Sequence, residues 1–178
     1  MKNLFWIGAT AVLIVLIGLT WMVAKTPESQ RGTDTGAGPN TQAFWVATFP
    51  DTQGQPQPMA QHRGKVVVVN FWAPWCPPCR AEMPGFMALQ KKYGKDGVQF
   101  VGIALDTTAN VQRFLAAKPT NYPIYLGEIG GSELSLALGN HADALPYTVI
   151  IDRRGEAAGS QVGMLDEARL EAMLRPLL

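Results

Sequence analysis

Cysteine and histidine are almost absent, with two of each in 178 residues. Two cysteines exclude a scaffold held by several bridges. The histidines, His62 and His141, stand alone and read as turn residues rather than ligands. Charge is sparse too, at 16% of residues, and nearly balanced at a formal net +1. Such a balance leaves no electrostatic footprint for nucleic acid or an acidic polymer, so no nucleic-acid partner is expected. No internal repeat is visible. Residues 4–24 lack charge altogether and are apolar apart from Thr10 and Thr20.

That uncharged stretch is roughly 20 residues long, enough to cross a bilayer. Trp6 and Trp21 suit its two interfaces. Lys2 before it resembles the start of a secretory signal, but the apolar run is longer than a usual signal core. No small-x-small processing site follows. The expectation is one uncleaved transmembrane helix within residues 1–25. Residues 26–43 carry Pro27, Gly32, Gly36, Gly38 and Pro39 among small polar residues, and read as a flexible linker. Residues 44–178 remain for one domain, ample for a single core.

The domain is organised around Trp72-Ala73-Pro74-Trp75-Cys76-Pro77-Pro78-Cys79-Arg80, which holds both cysteines. Residues 66–71 lead in without a polar break before Asn70 and read as a strand buried on both faces. A helical pattern leads out, with Pro77 suited to the first helical position and Phe86, Leu89 and Tyr93 on one face. Pro84 should kink this helix, and Gly94 should stop it. Cys76 then caps the helix, where the positive end of the dipole favours thiolate. Two cysteines so spaced can close a small disulfide and reopen it. A static bridge is the other reading, but such bridges usually close longer loops, because the entropic gain grows with loop length.

Downstream, residues 98–105 read as a strand, the Val111, Phe114 and Leu115 pattern as a helix ended by Pro119, residues 122–126 as a short strand and 134–138 as a short helix. Residues 147–151 and 157–162 form a hairpin across Asp152-Arg153-Arg154-Gly155, and Leu170, Met173, Leu174 and Leu177 mark a closing helix. Upstream, the alternation Phe44, Val46, Thr48 before the turn at Asp51-Thr52-Gln53-Gly54 reads as the first arm of a hairpin within 44–59. Strand and helix alternation with a late hairpin gives an α/β fold, a central mixed sheet with helices on both faces.

The segment from Phe71 through Cys76-Pro77-Pro78-Cys79 to Glu82-Met83-Pro84 resembles the active site of membrane-anchored thioredoxin-like proteins of the TlpA/ResA type. Gly64-Lys65, Ala104-Leu105-Asp106, Leu145-Pro146-Tyr147 and Gly155 fit the same pattern in order, so the resemblance covers about Phe44 to the C-terminus. It implies a thioredoxin fold with an N-terminal hairpin and a helix–strand insert over 107–126. It implies a thiol–disulfide oxidoreductase in which Cys76 attacks, Cys79 resolves and Pro146 is a cis-proline beside them. Leu145, Trp75, Pro77 and Pro78 then face the substrate. Neither Pro77 nor Pro78 has an N–H to give the Cys76 sulfur, which favours a reductant. Thioredoxin proper has a buried Asp where this chain has Asn70, which cannot act as a base. A proton role therefore falls to Glu82, placed like an acid that ResA-like proteins hold near the disulfide, or to water. The competing reading of Glu82 is a solvated helix charge near Arg80.

No cofactor beyond a redox-active Cys76–Cys79 disulfide is expected, and no metal. The protein is expected as a monomer, tethered by its single N-terminal helix to the bacterial inner membrane, with the catalytic domain on the periplasmic side. Expected partners are disulfide-containing proteins, either apocytochrome c or copper-site proteins, and a membrane thiol transporter as electron donor. The alternatives are a copper metallochaperone, for which two cysteines alone form a poor closed site, and a net disulfide oxidase.

Overall fold

The computed structural model describes residues 38–178. The expected anchor (1–25) and most of the expected linker lie outside the described residues. Among the described residues no helix is long and apolar enough to cross a membrane.

The chain runs α1 (Thr41–Val46), β1 (Thr48–Pro50), β2 (Pro56–Pro58), β3 (Val66–Trp72), α2 (Pro77–Tyr93), β4 (Val98–Ala104), α3 (Thr108–Ala117), β5 (Ile124–Leu126), α4 (Gly131–Ala137), β6 (Tyr147–Ile151), β7 (Ala157–Val162) and α5 (Glu167–Leu174). Five strands form one sheet in the order β5-β4-β3-β6-β7. β3 runs parallel to β4 and antiparallel to β6, so it lies at the centre, and all seven of its residues are buried. The period of two then divides its side chains between two cores. Val66, Val68 and Trp72 pack with Met83, Phe86 and Leu89 of α2, Val111 of α3, and Leu170 and Leu174 of α5. Val67, Val69 and Phe71 pack with Phe44 and Trp45 of α1, and with Leu134 and Leu138. This is the thioredoxin-like fold, a mixed sheet between helical layers. The expected insert is present as α3 and β5, with β5 parallel to β4 at the sheet edge.

Two local expectations are corrected. Residues 44–46 belong to a helix, not to a hairpin arm. Phe44 and Trp45 are consecutive and both buried, with rings 5.0 Å apart edge to face, whereas Val46 is exposed. A strand would send the two aromatics to opposite faces, while one helical turn lays both on the sheet. The Asn40 N–H donates to the Ala137 carbonyl at 2.9 Å, so ordered contacts begin inside the residues read as linker. The hairpin exists but is short, pairing Thr48 with Pro58 and Pro50 with Pro56. Gly94 stops α2 as expected, standing at its C-cap directly after Tyr93. The chain continues through a 3-10 turn, Gly94–Asp96, and reverses at Gly97 with φ of 87°, a conformation glycine adopts without strain.

His62 closes a 3-10 turn, Met59–His62, as a turn residue should, but it does not face solvent. It is buried, and one ring nitrogen lies 2.9 Å from the Tyr125 hydroxyl, fastening the hairpin region to edge strand β5. Burial, with Lys65 nearby, pushes its pKa down from 6.5 to about 4. The unfolded chain therefore binds the proton first as pH falls, so stability drops between about 6.5 and about 4. In urea titrations the advantage of the wild type over His62→Gln should shrink by about 2 kcal/mol across that window. A constant difference would rule out a buried neutral histidine.

Candidate active site

The site forms where β3 ends. Ala73, Pro74 and Trp75 turn the chain, and the Cys76 N–H donates to the Ala73 carbonyl at 3.1 Å. Cys76 is the N-cap of α2, and its Sγ accepts from the Cys79 N–H at 3.3 Å. Cys76 and Cys79 form a disulfide. Pro77 opens the helix as expected, and the helix runs on through Pro84 to Tyr93. Cys76 is less exposed than its capping position implied, at 3% against 0% for Cys79, because Trp75, Pro77 and Pro78 take the outer surface.

The sheet brings Pro146 to the same end. Phe71 of β3 pairs with Tyr147 of β6, so the residue before Tyr147 sits where β3 runs out towards Cys76. The Leu145–Pro146 bond is cis. The Pro146 carbonyl accepts from the Gly163 N–H at 2.8 Å, while among the described residues nothing hydrogen-bonds the Leu145 backbone. Trp75 is 65% exposed, and Val162 and Met164 add exposed apolar surface on the Pro146 side. Trp72, by contrast, is wholly buried against Phe114.

Glu82 is not a solvated charge. It is 4% exposed, one turn beyond Cys79 on the face turned to the sheet. Its Oε1 accepts from Asn70 Nδ2 at 2.8 Å and its Oε2 from the Leu165 N–H at 3.0 Å. Burial raises its pKa from 4.5 to about 7, partly opposed by those two donors. The phenol of Tyr122, raised first by its own burial, is raised further by the charge on Glu82. The arrangement therefore holds, beneath a redox-active pair, a carboxyl that gains and loses a proton near neutrality.

Among the described residues no three His, Cys, Asp or Glu side chains come together as a metal would need. The sequence model of the Redoxin family matches residues 35–174. The chain belongs to the Redoxin family. It is similar to the thiol-disulfide oxidoreductase ResA of Geobacillus kaustophilus, at 27% identity over 94% of this chain and 93% of that protein. It is similar to the thiol:disulfide interchange protein HelX of Rhodobacter capsulatus at 34% identity, over 65% of this chain and 62% of HelX. The crystal structure of a thioredoxin-family thiol:disulfide interchange protein from Chlorobium tepidum superposes with a TM-score of 0.64, at 30% identity, over 74% of this chain and 92% of that one.

Of the residues singled out in this redoxin's sequence, the structure places Cys76 and Cys79 at the start of α2, Glu82 one turn further along it, and cis-Pro146 beside the end of β3 that leads to them. Sequence reasoning missed Thr148, whose Oγ1 lies 3.1 Å from Asn70 Nδ2, and the Leu165 N–H. A lone amide in an apolar strand was the visible signal for the first. A backbone donor 83 positions from Glu82 leaves no signal in sequence.

Proposed function

We propose that this redoxin reduces disulfides of extracytoplasmic proteins through the dithiol of Cys76 and Cys79. Thiol–disulfide oxidoreductase is the enzyme class, and the observation that carries the assignment of residues is the Cys76–Cys79 disulfide at the N-terminus of α2. In the reduced protein the Cys76 thiolate attacks one sulfur of a partner disulfide, and the other partner sulfur leaves as thiolate. Cys79 gives up its proton and attacks Cys76 Sγ. The second partner sulfur is released, and two electrons have passed to the partner. Glu82, buried one turn along α2 from Cys79, takes the Cys79 proton, directly or through water.

Direction follows from donors. Among the described residues the Cys76 sulfur accepts only from the Cys79 N–H, since Pro77 and Pro78 have none to give. Weak stabilisation of the thiolate makes a reducing couple. Reduction is worth tethering where the surroundings oxidise, which supports an anchor at residues 4–24 with the domain outside the inner membrane. The fitting substrates are apocytochrome c or copper-site proteins held as disulfides, and a membrane thiol transporter supplies dithiol electrons.

The test uses spheroplasts treated with a mild reductant and a membrane-impermeant maleimide. Cys76 should label at least about tenfold faster than Cys79 at neutral pH. Equal rates would remove the nucleophile assignment, and labelling only after lysis would place the domain inside.

A further inference from the structure

Asn70 makes every hydrogen bond of its side chain from one end. Nδ2 donates to Glu82 Oε1 at 2.8 Å and approaches Thr148 Oγ1 at 3.1 Å, while Oδ1 is buried without a partner. Orphaned buried acceptors are costly and rare, so an amide kept in this form in an otherwise apolar strand calls for a physical reason. The reason lies in what its paired end faces. A carboxylate accepts, whereas a carboxylic acid donates. The two ends of an amide have nearly the same shape, and half a turn of the amide exchanges donor for acceptor without altering the packing.

We propose that Asn70 is the positioning residue of the Glu82 carboxyl and serves both its protonation states by turning its amide over. With Glu82 ionised, Nδ2 donates to Oε1. With Glu82 protonated, Oδ1 accepts from the acid O–H, and the Thr148 hydroxyl rotates to donate to the same oxygen. The Leu165 N–H donates to Oε2 in both states, which assigns the proton to Oε1. An aspartate at position 70 would oppose ionisation of Glu82, and an apolar residue would hold neither state. Other groups about the carboxyl are few. Its own helix contributes Cys76, Cys79 and the exposed Arg80. The Tyr122 phenol approaches from the segment before β5, and β6 contributes the neutral Thr148. Asp166, beside Leu165, is occupied capping the Arg169 N–H at 2.8 Å, and Glu167, the next residue, packs its Cβ on Gly85, one turn from Glu82.

The inference rests on Glu82 as the proton carrier proposed above, and the experiment separates the two. In the oxidised full-length protein in detergent neither cysteine titrates, so NMR can follow the Glu82 carboxyl carbon and the Asn70 side-chain amide from about pH 5 to about pH 9. Both should move with one midpoint near 7. In Asn70→Leu the Glu82 midpoint should rise by about one pH unit, the loss of one hydrogen bond to the charged form. An Asn70 amide that stays still while Glu82 titrates overturns the proposal, as does an unmoved Glu82 midpoint in a folded Asn70→Leu protein. Should that variant not fold, the wild-type titration decides alone. None of this requires turnover. If Glu82→Gln reduces substrate with an unchanged pH profile, the proton-carrier role falls and the coupling of Asn70 to Glu82 still stands on the titration.

Discussion

Cys79→Ser should accumulate mixed disulfides on the outer face of the membrane, and Cys76→Ser should abolish reduction without accumulating them. The asymmetry comes from the helix. Cys76 caps α2 and receives the Cys79 N–H, so its thiolate survives the second substitution and still attacks. Serine at position 79 cannot expel the partner sulfur at neutral pH, and the intermediate is stranded. Cys79 is wholly buried and cannot reach a macromolecular disulfide when it is the sulfur that remains. Both variants should turn over at least about a thousandfold more slowly than wild type, since each lacks one of the two sulfurs that the exchange consumes. Non-reducing gels of the Cys79→Ser protein in its own cell, with dithiothreitol as control, provide the readout, and the trapped proteins identify the substrates. Adducts enriched in Cys-x-x-Cys-His or copper-ligand cysteines would support the proposed substrate classes. Adducts with Cys76→Ser and none with Cys79→Ser would reverse the roles. A copper chaperone would give no adducts with either and would lose metal with both.

The parts of this site that could be read from sequence are those set by neighbours in the chain. Pro77 after Cys76, an unbroken apolar strand before it and a helical pattern after it are local signals, and they place the N-cap correctly. The hairpin of β6 and β7 is equally local, fixed by the Asp152 to Gly155 turn. What failed depended on partners far away. Phe44 and Trp45 become helical because both lie on the sheet, with Trp45 Nε1 donating to the Gly155 carbonyl, 110 positions on. His62 is buried because Tyr125 lies over it. Glu82 looked equally suited to solvent beside Arg80. Its burial is decided by Asn70 from one side and by the segment before α5 from the other, and no spacing within α2 encodes either.

Glu82→Gln should stabilise the oxidised domain at alkaline pH, although it removes an acid from the centre of the site. The folded carboxyl has its pKa raised by burial from 4.5 to about 7. As pH rises between those values the unfolded chain releases its proton first, and the folded state binds more protons. Stability therefore falls across the window and levels off above about 7. At about 1.4 kcal/mol per pH unit the full penalty is about 3 kcal/mol. Glutamine imitates the protonated acid. Its oxygen can accept from the Leu165 N–H, and its NH₂ can donate to the Asn70 Oδ1 that is otherwise unpaired. The variant should match wild type within about 1 kcal/mol near pH 4 and exceed it by about 2 kcal/mol near pH 8, after allowance for imperfect geometry. His62 titrates in part of the same range with the opposite slope, but it is common to both proteins and cancels in the difference. Urea unfolding of the two oxidised proteins at each pH measures that difference directly. A gap that does not widen with pH would show that the carboxyl is not held neutral-prone by its burial. A gap that widens, together with slower alkaline activation of Cys79 in the same variant, would show a site that keeps its acid at the expense of stability because the chemistry at Cys79 needs somewhere to put a proton.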